Sequence, residues 1–317
     1  MNCLCCGKPL KDNDQNIGWH KACIKRFFTT TVIPEIEITD LTLETLAEES
    51  TNKGYTVPGV QKKLSLHLSK ETHPRLTVVN YPTGYILKPQ VKEFRALPEA
   101  EQLVMCMADK AGIATVPHAL VKSGDSYAYI TKRIDRVFAD KSRTQMLAME
   151  DFCQLDLRLT QDKYKGSYER CGKIIKQYSS ASGLDITELF YRLVFSFIVG
   201  NSDMHLKNFS LIETETGSGK YHLSPAYDLL PVNVIMPEDK EQFALPMNGK
   251  KTNIRRKDFL VFADGCGITK SSAEKMIKRL ISMTSEFIKM CDDSFIPKDM
   301  KESLKELINA RVSVLKQ

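Results

Sequence analysis

The sequence predicts an α+β chain in two lobes, the first rich in strands and the second mostly helical. Three observations lead there. Alternating runs such as Leu64-Ser65-Leu66-His67-Leu68 recur in the first half with strand periodicity. After about residue 145 the pattern turns mostly helical. Finally, the apolar stretch Phe190-Tyr191-Arg192-Leu193-Val194-Phe195-Ser196-Phe197-Ile198-Val199 runs directly into a polar loop, Gly200-Asn201-Ser202-Asp203-Met204-His205-Leu206-Lys207-Asn208. A buried helix ending there would deliver that loop rigidly.

In order along the chain, residues 1–28 read as a separate cysteine-rich knuckle. Residues 35–50 read as an acidic helix, with Glu35, Glu37, Asp40, Glu44, Glu48 and Glu49 interleaved with Leu41, Leu43 and Leu46. Thr51 to Lys63 is a loop carrying Gly54, Pro58 and Gly59. Strands follow at Leu64–Leu68, Thr77–Val79 and Gly84–Lys88, the last two joined by a turn near Pro82-Thr83-Gly84. Pro98 to Ala111 fits a helix, with proline at its start and Gly112 at its end. Tyr127–Thr131 is a further strand. Within the helical half, Phe209–Ile212 and Tyr221–Leu223 flank a Gly217-Ser218-Gly219 turn and read as a short hairpin. The expected domains are the knuckle at 1–28, a first lobe at 29–134 and a helical second lobe at 135–317.

Composition bounds the function without naming it. The 317 residues suffice for one large or two modest cores, and 42% hydrophobic with 26% charged residues is ordinary for a globular chain. No apolar run reaches the roughly 18–20 residues of a membrane span. Met1 to Cys6 lacks the basic and apolar regions of a secretory signal. Of the nine cysteines, those after Cys23 are scattered singly, which suits reduced thiols in a cytoplasmic protein better than a disulfide framework. The net charge of +6 is spread along the chain; its densest cluster, around Lys250-Lys251 and Arg255-Arg256-Lys257, reads as a solvated face, with a phosphate-rich or acidic partner as the alternative.

The polar loop carries the chemistry. Asp203, then Asn208 after four intervening residues, then Asp228 within Ala226-Tyr227-Asp228-Leu229-Leu230, is the spacing of a kinase catalytic loop and its metal aspartate. One carboxylate orients an attacking hydroxyl; an amide oxygen and a second carboxylate hold Mg²⁺ against nucleotide phosphates. Read alone, Asp203 and Asn208 would serve equally as a helix cap and a solvated loop. The expected fold is thus protein-kinase-like, with nucleotide between the lobes.

Six stretches occur in the order Val57-Pro58-Gly59-Val60-Gln61-Lys62-Lys63-Leu64, Tyr85-Ile86-Leu87-Lys88-Pro89, Arg133-Ile134-Asp135-Arg136, Glu150-Asp151-Phe152-Cys153-Gln154, Gly200 to Ser210, and Pro225 to Leu230. Together they resemble the HipA family of bacterial serine/threonine kinases, the toxins of toxin–antitoxin modules, over about residues 50–310. The resemblance implies Asp203 as catalytic base, Asn208 and Asp228 as Mg²⁺ ligands, and Lys88 as the strand lysine on the nucleotide phosphates. Glu101 or Glu99 would be that lysine's acidic partner. It also implies nucleotide contacts from His205, Lys207 and Tyr227, and an adenine-side hinge at Lys132, Arg133 and Ile134. Pro58, Gly59, Val60, Gln61, Lys62 and Lys63 resemble the loop that covers the phosphates, where Gly59 would let backbone N–H groups approach and the lysines add charge. Family members autophosphorylate a serine just before that loop; Thr56 stands there in this chain, and Pro58 stands where some relatives have a second serine.

Longer family members carry more chain ahead of that loop, folded as an extra subdomain; here the loop begins at Val57. The chain therefore resembles the short kinases of split, three-component (HipT-like) modules, in which a small separate protein supplies the missing subdomain. A helix-turn-helix antitoxin is the other implied partner, with no membrane and no direct nucleic-acid binding by this chain. The implied function is ATP-dependent phosphorylation of a translation component, an aminoacyl-tRNA synthetase leading. A small-molecule phosphotransferase of the same fold, or a nucleotide-binding pseudokinase regulator, are the alternatives.

Separately, Cys3-x-x-Cys6 with His20-x-x-Cys23 offers three thiolates and an imidazole in the paired spacing of a structural zinc site. Cys5 is a rival ligand and Trp19 a cap for a small core. Free thiols in a packed N-terminal cap are the alternative reading.

Overall fold

The computed structural model describes residues 1–36, 63–69, 74–77, 84–138 and 144–317. Contacts divide the chain into two compact units, Met1–Gln102 with Val116–Ile134, and Leu103–Thr115 with Asp135–Gln317. No helix among the described residues is long and apolar enough to cross a membrane.

The first unit is built on a six-stranded sheet. Its strands are β1 (Glu35–Ile36), β2 (Leu64–Ser69), β3 (Arg75–Thr77), β4 (Tyr85–Pro89), β5 (His118–Ser123) and β6 (Ser126–Lys132), in the order β1-β3-β2-β4-β6-β5. In β2 the leucines Leu64, Leu66 and Leu68 are buried while Ser65 is exposed, so the period-two pattern of the sequence fixes which face meets the core. Central β4 pairs antiparallel with β2 and β6, placing Lys88 opposite Tyr129. Ahead of the sheet lies α1 (Lys21–Phe28), whose Phe27 and Phe28 pack with Trp19 and Tyr85. Glu35 and Ile36 do not begin a helix, as the acidic pattern suggested. They pair in parallel with Arg75 and Leu76, because two apolar-adjacent residues beside an open sheet edge gain more from ladder bonds than from one frayed helical turn. The remainder of the expected 35–50 helix lies outside the described residues.

Between β4 and β5 runs α2 (Leu97–Ala111), starting one residue before Pro98 and ending at Gly112. The second unit contains a hairpin of β7 (Arg136–Phe138) and β8 (Thr144–Met146) and a three-stranded sheet. That sheet comprises β9 (Met149–Asp151), β10 (Ser210–Glu213) and β11 (Tyr221–Leu223), with β10 central and both pairings antiparallel. Eight helices complete the unit: α3 (Phe152–Leu155), α4 (Tyr168–Tyr178), α5 (Ser182–Val199), α6 (Val232–Ile235), α7 (Arg256–Cys266), α8 (Lys270–Ser282), α9 (Thr284–Asp293) and α10 (Lys298–Lys316).

Helix α5 is the axis of this unit. Leu189, Phe190, Leu193, Val194, Phe195, Phe197, Ile198 and Val199 are all buried, which is why its sequence shows an almost unbroken apolar run. Phe190 and Phe197 pack against Phe243, Phe259 and Phe262. The helix stops at Gly200, which adopts φ 71° and donates to the carbonyls of Phe197 and Ser196. Asn201 N–H then closes on Ser196 O at 2.8 Å, a second bond across the helix end. A Cβ on Gly200 would meet Leu307 Cδ2 at 2.3 Å. Gly200→Ala should therefore destabilise the protein by about 1–2 kcal/mol from the left-handed backbone alone, with the displacement of Leu307 added. The fall in the urea midpoint measures it; an unchanged midpoint would refute this account of the helix stop.

Candidate active site

The loop after Gly200 is held from below. Asn201 and Ser202 are buried, and Ser202 Oγ donates to Asp239 Oδ2 at 2.6 Å. Met204 is buried, and its carbonyl accepts from Tyr168 Oη at 3.1 Å. Leu206 N–H donates to Lys163 O, and Phe209 stacks on Phe152 at 5.7 Å. With both ends fixed, a 3₁₀ turn over Leu206–Asn208 sets the spacing between Asp203 and Asn208.

Asp203 is half-buried, and its backbone carbonyl accepts from His205 N–H at 2.8 Å. Its carboxylate Oδ1 accepts from Tyr164 Oη at 2.8 Å. Burial raises its pKa, with Asp228 and Asp239 adding like charge; the Tyr164 hydrogen bond and Lys163 pull the other way. Burial as the leading cause is what a proton-accepting carboxylate needs. Tyr164 also stands edge-on to His205, with ring centroids 5.2 Å apart.

Asn208 is buried, and its Oδ1 has no hydrogen-bond partner among the described residues. An amide oxygen left so is costly unless something else takes it. Asp228 follows the β10–β11 hairpin in a left-handed conformation, φ 56°, which aspartate tolerates better than most residues. Two hard oxygen donors in this setting fit Mg²⁺.

Lys207 and Tyr227 brace the loop. Lys207 Nζ pairs with Asp151 Oδ2 at 2.5 Å, and Asp151 caps α3 in a reciprocal box with Gln154. Tyr227 Oη donates to Lys207 O at 3.0 Å and bonds Ser210 Oγ at 2.5 Å. These partners explain the Glu150 to Gln154 stretch, whose aspartate tethers the loop from the neighbouring element.

In the first unit, Lys88 Nζ meets Glu101 Oε1 at 2.5 Å, with the residues 3% and 0% exposed. Glu101, on α2, and not Glu99, is thus the partner. The ammonium also lies 5.1 Å from the Tyr129 ring centroid. Next to Glu101, Gln102 bonds His118 Nδ1 and donates to Cys5 O. Lys132 Nζ lies over the rings of Phe27 and Tyr85, and Arg133 N–H donates to Gly84 O, ahead of Ile134 at the end of the unit. Lys63 is exposed just before β2. Thr56, Pro58, Gly59, Val60, Gln61 and Lys62 lie outside the described residues.

Sequence reasoning missed Tyr164, Asp151 and Asp239. Only Asp151 sat in a quoted motif; Tyr164 lies in Lys163-Tyr164-Lys165, which reads as charged surface.

Solved structures share the fold that carries these residues. HipA of Shewanella oneidensis MR-1, from a complex of HipA, HipB and operator DNA, matches with a TM-score of 0.69 at 19% identity, over 82% of this chain and 65% of that one. The Helicobacter pylori proinflammatory kinase CtkA matches with a TM-score of 0.54 at 15% identity, over 80% and 94%. The chain belongs to the HipA-like C-terminal domain family, which matches residues 55–287. A Haemophilus influenzae relative that carries a provisional kinase name is 26% identical over 97% of this chain and 95% of its own length. The similarly named Y4mE of Sinorhizobium fredii is 26% identical over 74% of this chain, which spans 56% of that protein.

Proposed function

We propose that this chain is an ATP-dependent serine/threonine protein kinase acting as the toxin of a toxin–antitoxin module. The observation that carries the reading is the Asp203–Asn208 loop: a carboxylate whose pKa is raised by burial, five residues before a buried amide oxygen without a partner among the described residues. The substrate hydroxyl gives its proton to Asp203 as its oxygen bonds to the γ-phosphorus of ATP. The bond from that phosphorus to the β–γ bridging oxygen breaks, and ADP leaves. Lys88, oriented by Glu101, pairs with the nucleotide phosphates. Asn208 and Asp228 would hold Mg²⁺, which neutralises phosphate charge when bound. His205, Lys207 and Tyr227 keep the loop in place.

The protein target is a translation component, with an aminoacyl-tRNA synthetase leading, and Thr56 is the autophosphorylation site. The partner is a helix-turn-helix antitoxin, as HipB accompanies HipA in the Shewanella complex. The test is incubation of wild type and Asp203→Asn with γ-labelled ATP, Mg²⁺ and bacterial lysate. One labelled translation protein, absent with the variant, supports the reading; label confined to small molecules moves the chain to the small-molecule phosphotransferases.

Tyr164→Phe gives a pH signature. The hydroxyl donates to the Asp203 carboxylate and lowers its pKa, so losing it raises that pKa further. The base must be ionised, and the acid limb of the rate profile should therefore move to higher pH. An unmoved limb would show that Asp203 is not the titrating base.

A further inference from the structure

Three of the nine cysteines crowd into one place with a histidine. One ligand atom from each of Cys3, Cys6, His20 and Cys23 lies within 4.8 Å of every other. A tetrahedron with bonds of about 2.3 Å has sulfurs roughly 3.8 Å apart, so the four need little movement to close on one ion. Cys6 Sγ is already 3.4 Å, and Cys23 Sγ 3.8 Å, from His20 Nδ1.

The orientation of the histidine favours a metal site. His20 Nε2 is 3.0 Å from the carbonyl of Pro9, which can only accept, so the ring proton sits on Nε2. The other ring nitrogen, Nδ1, faces the sulfurs of Cys6 and Cys23. A ligating imidazole that donates its other N–H to a carbonyl is the usual outer support of a metal site. The backbone agrees: Gly7, at φ 68°, donates to Cys3 O and folds the first pair into a tight turn. Cys5 is outside the cluster, with its sulfur toward Arg26.

We propose that Cys3, Cys6, His20 Nδ1 and Cys23 bind one zinc-class divalent ion, and that this ion clamps the knuckle onto the sheet of the first unit. The clamp has three footholds. Leu4 O accepts from Leu120 N–H on β5, Cys5 O accepts from Gln102 on α2, and Phe27 O accepts from Tyr85 Oη on β4. The last two lie on the elements that carry Glu101 and Lys88. The knuckle's core is small, with Leu4, Leu10, Trp19, Ile24, Phe27 and Phe28 its buried side chains besides the cysteines, the situation in which a metal adds stability.

The test reads metal, not activity, so it fails or succeeds independently of the kinase reading. The full chain, purified without chelator, should carry about one zinc by elemental analysis, and its cobalt form should show thiolate-to-cobalt charge transfer. Cys6→Ser with Cys23→Ser should lose both. Cys5→Ser should keep both. Because the double variant can misfold, His20→Cys serves as the second arm: four thiolates retain the ion with an altered cobalt spectrum. Wild type that takes up no zinc when offered it, or loss of zinc in Cys5→Ser as complete as in the double variant, would overturn the site.

Discussion

Asp203→Asn should lower phosphoryl transfer to the protein substrate by about 10²–10⁴-fold, the span that a positioned proton acceptor contributes. The substitution keeps shape and local bonding. An amide Oδ1 still accepts from Tyr164, and the backbone carbonyl still accepts from His205. What it removes is the anion, and burial disfavours that anion in the folded state. Stability should accordingly hold or rise slightly while turnover collapses. Initial rates with labelled ATP beside thermal melts separate the two quantities. A variant that melts like wild type yet keeps more than a tenth of the rate would remove Asp203 from the chemistry.

How much of this was legible depends on the physical reach of each signal. Strand β2 and helix α2 were readable because period-two burial and a Pro–Gly frame are local. The Asp203–Asn208–Asp228 set stood out because its spacing is that of the proposed chemistry. Strand β5 was not: four consecutive buried residues, His118 to Val121, leave no alternation when both faces are covered. The roles of Tyr164 and Asp151 were not legible, for another reason. Each acts on the loop from some forty to sixty residues away in sequence, through one side-chain bond that no periodicity encodes. The four knuckle residues stood out by spacing, but the Pro9 carbonyl that orients the His20 ring is eleven residues away and carries no mark in the sequence.

Lys88→Met should destabilise the protein by about 3–5 kcal/mol, because it leaves Glu101 fully buried without its cation. Methionine fills the alkyl volume and keeps contact with Tyr129, so a cavity does not explain the loss. The pH dependence identifies the cause. A buried carboxylate without a cation resists ionisation, so the folded variant holds a proton that its unfolded chain releases above about pH 4.3. The unfolded state then binds fewer protons than the folded one, and the loss deepens as pH rises from that point. Adding Glu101→Gln removes the stranded charge and should restore much of the stability at neutral pH. The double variant should remain unable to transfer phosphate, since the cation for the nucleotide is still missing. Chemical denaturation at acid and neutral pH, with transfer rates alongside, tests both halves. If Lys88→Met lost the same stability at every pH, the pair would be ordinary packing; if the double variant regained activity, Lys88 would have no part in binding phosphate.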